Sequence, residues 1–187
     1  MVERRLTDHL EQGGARSAAA SAGQPLPWHV LRTKTKCEKF VRDQLLARGF
    51  DAYVPVTRRT ARYVRKVKTY ELPLISCYTF VRLPRERRVE VLALPYVQGL
   101  LRSDGRDCLV SEREMDWLQR VSGSTTESRI EPLSLLPGDK VVIARGQLAG
   151  MEGRILDRHG KHEFAVALDS LGLQLVIHVQ NDMLVKG

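Results

Sequence analysis

The hydrophobic pattern of the chain changes its period at a short polar segment, residues 122–134 (SGSTTESRIEPLS). Before this segment, strand-like runs alternate with runs of helical period. After it, apolar residues alternate with a period of two, which is the pattern of half-buried strands. A polar, turn-rich stretch between two such patterns indicates a linker. We therefore predict two domains, 28–121 and 135–187, preceded by a flexible leader, 1–27, whose small polar residues cannot form a core.

The first domain mixes the two patterns. WHVLRT reads as a strand, TKCEKFVRDQLLARG as a helix, and FDAYVPV as a second strand. Capping boxes are predicted at the start of this helix, from Thr35 and Glu38, and at the start of the last helix, from Ser111 and Glu114. The full order is β-α-β-β-α-β-β-α, which predicts an α+β fold with the helices on one face of the sheet.

Residues 135–187 read as five short strands separated by glycine-containing turns, which fits a small all-β barrel. The most specific stretch within them is PGDKVVIARGQLAGMEGRI. In it a strand runs into a turn whose glycines stand where the backbone takes a positive φ or packs closely against a neighbour. These glycines are Gly146, Gly150 and Gly153.

Positive charge is concentrated in the first domain. The chain has a formal net charge of +8, yet residues 32–90 alone hold 16 basic and 6 acidic side chains, while residues 135–187 are neutral. One run without an acidic residue, here called the basic arm, alternates with apolar residues and predicts an exposed hairpin. Its basic members are Arg58, Arg59, Arg62, Arg65, Lys66 and Lys68. Two interpretations stay open: a solvated basic face, or a surface that tracks nucleic acid phosphates, with Tyr63 and Tyr70 stacking on bases.

Several classes of function are disfavoured by what the sequence lacks. No stretch approaches the roughly 18 apolar residues that span a bilayer. Cys37, Cys77 and Cys108 are odd in number and widely spaced, which argues against a disulfide framework or a zinc site and favours a cytoplasmic location. His159 and His162 have no carboxylate or cysteine ligand beside them. No catalytic motif is present, so we predict a non-enzymatic protein without metal or cofactor.

The glycine-containing stretch resembles the KOW motif, including its central glycine, Gly150. Ahead of the linker, WHVLRTKTKCEKFV, GFDAYVP and ELPLISCYTFVR are similar to the N-terminal domain of the NusG family of transcription elongation factors, from Trp28 to about Val121. Both resemblances occur in the family's order. The PLI-x-x-Y-x-FVR pattern further resembles specialised paralogues of the UpxY or RfaH kind. Ser76-Cys77 departs from the family, which usually has a proline followed by a small residue or Asn.

The resemblance implies a ferredoxin-like N-terminal domain with an antiparallel sheet, followed by an SH3-like KOW barrel. In the family, the first domain docks on the clamp helices of RNA polymerase and bridges the cleft around DNA. The positions that match the apolar docking surface are Tyr53, Ile75, Tyr78 and Phe80. Direct contact with the polymerase and burial in the sheet's own core are both open for these four. Arg85, Arg87 and Arg88 lie in the segment similar to the one that meets the polymerase gate region.

Lys34 and Lys36 match positions near the non-template or upstream DNA in the family, at a helix start that favours an anion. The resemblance thus implies a monomeric transcription elongation and antitermination factor. We expect it to suppress pausing and termination in particular long operons, such as those for surface polysaccharides. Its neutral KOW domain would recruit a ribosomal protein or a termination factor, or contact nascent RNA. The alternative is a KOW-type RNA-binding or ribosome-associated protein, which a neutral barrel disfavours.

Overall fold

The chain folds into an α+β domain followed by an all-β domain, and this confirms the predicted fold class. The computed structural model describes residues 25–63, 66–133, 138–158, 161–179 and 183–186. The predicted leader falls, except for its last three residues, outside this part of the chain. Both domains are described below only for these residues.

The N-terminal domain contains three helices among the described residues. They are α1 (Glu38–Leu46), α2 (Arg88–Leu92, preceded by a 3-10 turn at Arg85–Arg87) and α3 (Glu112–Gly123). The strands of this domain are β1 (Trp28–Thr33), β2 (Ala52–Tyr53), β3 (Val56–Tyr63), β4 (Lys66–Pro73), β5 (Tyr78–Arg82), β6 (Val97–Leu100), β7 (Arg102–Ser103), β8 (Arg106–Asp107) and β9 (Leu109–Val110).

The central sheet has the order β2-β5-β1-β6, with β9 also paired to β1, and every one of these pairs is antiparallel. Among the residues that the structure describes, strands β3 and β4 pair only with each other and form a separate hairpin. Because side chains alternate between faces along a strand, β1 and β5 send successive residues to opposite sides of the sheet.

The two faces of the central sheet are covered by different helices. Leu31 and Val81 belong to a buried cluster with residues of α1 and α2, and we call this side the α1 face. Val30 and Phe80 belong to a second cluster that includes Met115 and other residues of α3, and we call this side the α3 face. The prediction that all helices cover one face is therefore wrong. The reason is that α3 carries its own apolar stripe, and the alternating core strands leave a second apolar face to be buried.

The two predicted capping boxes have different outcomes. At α3, the Ser111 hydroxyl accepts a hydrogen bond from the Glu114 amide while the Glu114 carboxylate accepts one from the Ser111 amide, which confirms that capping box. At α1, Cys37 occupies the N-cap position and no side chain caps the helix, so that prediction is wrong. The Glu38 carboxylate instead accepts the amide of Cys77, 2.7 Å away, in the turn before β5.

The strands of the C-terminal domain form one antiparallel sheet in the order β10-β14-β13-β12-β11-β15. They are β10 (Ser128–Pro132), β11 (Lys140–Ile143), β12 (Glu152–Arg158), β13 (Lys161–Leu168), β14 (Leu173–Ile177) and β15 (Leu184–Lys186). Five of them follow the strand-like runs of the sequence. The remaining strand, β10, lies inside the segment read as a linker and pairs with β14, because Ile130 contributes an apolar side chain to the core beside Leu175.

The glycines of the KOW-like stretch lie in the connection between β11 and β12. Gly146 and Gly150 have φ angles of +86° and +82°, a region that side chains with a Cβ rarely adopt. Gly153 is in β12, where a Cβ would lie 2.4 Å from the backbone oxygen of Ala165 and 2.7 Å from the ring of Phe164. The turn and the close approach of β12 to β13 thus both require glycine.

Helix α3 joins the two domains. Ser170 of the C-terminal domain donates two hydrogen bonds to the Glu114 carboxylate, from its amide at 3.1 Å and from its hydroxyl at 2.5 Å. Arg113 forms an ion pair with Glu152 at 2.7 Å. Near the other end of the helix, Arg120 donates to the backbone oxygen of Ala149. The carboxylate of Glu114 therefore both caps α3 and holds the second domain against it.

The double role of Glu114 gives a stability prediction. Burial alone would raise the pKa of Glu114, but the hydrogen bonds from Ser111 and Ser170 outweigh burial and hold this pKa below its usual value. Because the pKa of Glu114 is lower in the folded protein, its ionised carboxylate stabilises the fold at pH values above the usual pKa of 4.5. This stabilisation is lost as the pH falls from 4.5 through the pKa of Glu114 in the folded protein. We expect Glu114→Gln to lower the free energy of unfolding by about 1–2 kcal/mol at pH 7.

Chemical denaturation of the full chain between pH 3 and pH 7 measures this effect. The difference between the wild type and Glu114→Gln should shrink as the pH falls below 4.5, because the wild-type carboxylate then becomes neutral as well. Glu86→Gln is the matched control, since Glu86 is exposed on the 3-10 turn before α2. Equal destabilisation by the two substitutions would contradict the assigned role of Glu114.

Candidate functional site

Two tyrosines lie side by side on the α3 face. Tyr53 stands opposite Phe80 in the pairing of β2 with β5, and Tyr78 precedes Phe80 by two residues, so all three point to the same side. Diagonal neighbours on such a pair are separated by about 7 Å. Both tyrosines are half-buried and pack against the large cluster of this face. They form what we call the tyrosine pair.

The other two matched positions lie beneath this surface. Phe80 has no exposed area, and Ile75 is 5 % exposed; both belong to the cluster that includes the apolar residues of α3. The structure therefore brings the four residues together but divides them into two half-buried tyrosines and two buried core residues. Arg32, which the sequence reading did not single out, is exposed directly opposite Tyr78 in the β1–β5 pairing.

Lys34 and Lys36 lie in the short turn between β1 and α1, and both are exposed. Lys36 has a φ angle of +65°, which turns the chain sharply before the helix begins. Beside this turn, Phe40 and Tyr96 form an edge-to-face ring pair 5.4 Å apart, and the amide of Lys34 donates to the Tyr96 backbone oxygen. Phe40 recurs at helical spacing with the buried Val41 and Leu45, but it is 44 % exposed.

The basic arm is the hairpin of β3 and β4, in which Val56 pairs with Pro73 and Tyr63 with Lys66. Arg58, Arg59, Lys66 and Lys68 have exposed side chains. The side chain of Arg62 and all of Arg65 lie outside the described part of the chain. The eight paired residues of each strand give the hairpin a length of about 25 Å at the usual rise per residue. The arm thus carries its cations on a long, solvent-accessible ribbon.

Two of the three arginines matched to the polymerase gate segment have partners within the domain. Arg87 donates twice to Glu90, at 2.9 and 3.0 Å, and its guanidinium lies 3.8 Å from the ring centre of Phe50. Arg88 donates twice to the Asp107 carboxylate, which lies on β8. Hydrogen bonding from Arg88, supported by a 3.0 Å bond from Arg102, outweighs burial and lowers the pKa of Asp107 to about 2. Both arginines therefore hold α2 in place, and Arg85 beside them is exposed.

The fold and the arrangement of these surfaces define a two-domain protein with an α+β domain rich in exposed cations and an all-β domain that carries a KOW-like turn. Residues 26–119 match the family model described as "Transcription termination factor nusG". Because this span covers half of the chain, the chain belongs to the NusG family, which is a family of non-enzymatic transcription factors.

One solved structure supports this fold. The chain is similar to NusG of Thermotoga maritima, from a structure titled "Domain interaction in Thermotoga maritima NusG", with a TM-score of 0.54 and 22 % identity over 86 % of this chain and 96 % of the other. The MjSpt4:Spt5 complex in conformation A matches with a TM-score of 0.30 and 15 % identity, covering 86 % and 97 % of the two chains. A search of the curated proteins gave no significant match.

Among the described residues, no helix has the length and apolar character needed to cross a membrane.

The ion pair of Arg88 with Asp107 gives a second stability prediction. Asp107 has a depressed pKa, so the pair contributes fully above the usual carboxyl value of 3.8 and is lost only as the pH falls through about 2. We expect Asp107→Asn to lower the free energy of unfolding by about 1 kcal/mol at pH 7, and by nearly as much at pH 4.

Thermal denaturation of the wild type and the variant at pH 4 and pH 7 checks this expectation. Asp104→Asn serves as the control, because Asp104 lies three residues away on the same hairpin and is exposed. Equal stability of Asp107→Asn and Asp104→Asn would show that the Arg88–Asp107 ion pair does not fix α2 to β8.

Proposed function

We propose that the protein is a transcription elongation factor that binds RNA polymerase through its N-terminal domain and reduces pausing and termination. The observation that carries the proposal is the match of residues 26–119 to the NusG family model, since that span contains the tyrosine pair, the basic arm and the turn with Lys34 and Lys36. The family is one of transcription factors, and its members act by binding. The clamp helices of the polymerase are the proposed docking partner.

The tyrosine pair has the physical properties of a docking anchor. Tyr53 and Tyr78 are half-buried, so their rings are held in place by the cluster below while one side stays accessible. Aromatic side chains on a rigid base dominate the binding energy of many interfaces, because little rotational freedom is lost on binding. Phe80 and Ile75 provide that base, since both are buried directly under the α3 face. Arg32 adds a positive charge at the edge of the same surface.

The basic surfaces support a position next to nucleic acid. Residues 32–90 carry a net charge of +10, and the exposed Lys34 and Lys36 stand at the start of α1. Charges of this kind raise the rate of association with a polyanion and make binding depend on salt. We propose that the lysine turn and the basic arm lie along the non-template or upstream DNA. Arg87 and Arg88 would shape the gate-facing segment through their bonds to Glu90 and Asp107.

The C-terminal domain is proposed to bind a protein partner. Residues 135–187 have equal numbers of basic and acidic side chains, so the charge that would favour nascent RNA is absent there. A ribosomal protein or a termination factor is the proposed class of partner.

The sequence resemblance to UpxY and RfaH supports a role restricted to particular long operons, such as those for surface polysaccharides. Genome-wide polymerase occupancy with and without the protein would identify those operons.

Retention of purified core RNA polymerase on the immobilised full chain tests the proposed docking. We expect Tyr53→Ala and Tyr78→Ala each to weaken retention roughly tenfold, because truncation of an aromatic anchor commonly costs more than 1 kcal/mol of binding free energy. Both variants should stay folded, since each ring is only partly buried. Retention measured at several salt concentrations separates the apolar contribution of the tyrosines from the contribution of the charged surfaces.

Phe40→Ala is the matched control for the tyrosine variants. It also removes an exposed aromatic ring, but α1 covers the opposite face of the sheet. The control should retain polymerase as well as the wild type does. Failure of the wild type to retain core polymerase at low salt would overturn the proposed function. Retention by the wild type, with both tyrosine variants unaffected, would overturn the tyrosine pair as the docking surface.

A further inference from the structure

Glu38, the first residue of α1, is a carboxylate buried inside the N-terminal domain. The residue is only 2 % exposed, and α1 lies on the side of the sheet opposite to the tyrosine pair. Burial of a carboxylate is unfavourable unless hydrogen bonds or charges compensate for the lost water. The partners of Glu38 therefore indicate why this position carries an acidic residue.

Glu38 binds the two residues that flank Tyr78. Its Oε1 atom accepts the amide of Cys77 at 2.7 Å, and its backbone oxygen accepts the hydroxyl of Thr79 at 3.2 Å. On the other side, the amide of Thr33 in β1 donates to the backbone oxygen of Cys77 at 2.8 Å. The backbone on both sides of Tyr78 is thus fixed from the α1 face, while the tyrosine ring lies on the α3 face.

The backbone at Cys77 is strained. Its φ angle is +66°, in the left-handed region that residues with a Cβ rarely adopt. Residues 74–77 form the turn that joins β4 to β5, and Tyr78 is the first residue of β5. The direction in which β5 begins therefore depends on this turn, and Tyr78 is the side chain nearest to it.

A carboxylate is well suited to hold this turn. A hydrogen bond to an ionised acceptor is stronger than one between neutral groups. Negative charge is also favoured in the first turn of a helix, where Glu38 lies. An apolar side chain at this position would remove the acceptor of the Cys77 amide and leave the strained turn without its bond to the side chain.

We propose that Glu38 is a positioning residue for polymerase docking. Through its bonds to Cys77 and Thr79 it fixes the start of β5, and so it sets the place of the Tyr78 ring on the docking surface. Glu38 acts from behind the sheet and does not itself contact the partner. This inference rests on the proposed function, because it assigns to Glu38 an effect on the binding of RNA polymerase.

Retention of core RNA polymerase on the immobilised full chain tests the effect of Glu38. Glu38→Leu should weaken retention roughly fivefold, because it removes the acceptor that holds the turn. Glu38→Gln keeps a side-chain oxygen for the Cys77 amide, so it should restore most of the wild-type retention. A side chain that acted only by filling space would give the opposite order, since leucine is the better apolar filler.

Val41→Ala is the matched control for a general loss of stability. Val41 is fully buried on the same helix and the same side of the sheet, and its apolar side chain accepts no hydrogen bond from the turn. This variant should unfold at a lower temperature than the wild type does. At a temperature at which all variants are folded by circular dichroism, it should retain polymerase like the wild type.

A double-mutant cycle tests whether Glu38 acts through Tyr78. Two substitutions that remove the same interaction have effects that do not add. Once Tyr78→Ala has removed the ring, Glu38→Leu should cause little further loss of retention. Cys77→Val should reproduce the effect of Glu38→Leu, because β-branched residues avoid a positive φ, whereas Cys77→Gly should bind like the wild type.

Amide hydrogen exchange, followed by NMR without polymerase, tests the hydrogen bond itself. The Cys77 amide should exchange about tenfold faster in Glu38→Leu than in the wild type, because its acceptor is gone. Amides of α3, on the other face of the sheet, should exchange at their wild-type rates.

Four results would overturn the positioning role alone. They are equal retention by Glu38→Leu and the wild type, weaker retention by Glu38→Gln than by Glu38→Leu, fully additive losses in the cycle with Tyr78→Ala, and unchanged exchange of the Cys77 amide. Equal losses in Val41→Ala and Glu38→Leu would likewise show a general effect of stability. Failure of the wild type to retain polymerase would instead overturn the proposed function, and the positioning role with it.

Discussion

The antiparallel pairing of β1 with β5 is the interaction on which the rest of the N-terminal domain depends. Its register sends Leu31 and Val81 to the α1 face and Val30 and Phe80 to the α3 face. A shift by one residue would exchange every side chain between the two faces. The same register places Tyr78 beside the buried Phe80, so the candidate docking surface exists only because the core beneath it is in register.

Helix α3 extends this dependence to the second domain. Its apolar residues complete the core under Phe80, and its capping carboxylate, Glu114, accepts two hydrogen bonds from Ser170. One carboxylate thus takes part in capping the start of the helix and in positioning the C-terminal domain. The strand β10 adds a second connection, because the chain that leaves α3 pairs at once with β14.

The fold was largely predictable, because periodicity, glycine turns and the Ser111 capping box report local structure that tertiary contacts left unchanged. Contacts distant in sequence were not predictable in the same way. Glu38 fits a capping box locally, yet its carboxylate binds the amide of Cys77, 39 residues away. Helical spacing does not distinguish Phe40 from the buried Val41 and Leu45, and only the packing shows that Phe40 is 44 % exposed. For the candidate site, the sequence grouped residues that the structure brings to one face of the sheet, and the structure was needed to separate half-buried Tyr53 from fully buried Phe80.

The net charge of the domain is a poor measure of the charge available to a partner. Arg87 and Arg88 count fully towards the +10 of residues 32–90, yet each is bound to a carboxylate that fixes α2. Arg58 is likewise paired with Glu71, whereas its neighbour in sequence, Arg59, stands opposite Tyr70. Strand alternation therefore places Arg58, which is paired with Glu71, and Arg59 on opposite sides of the same hairpin. The electrostatic potential therefore differs between the two sides of the hairpin. For the binding of a polyanion, the side that the hairpin presents matters more than the total charge of the domain.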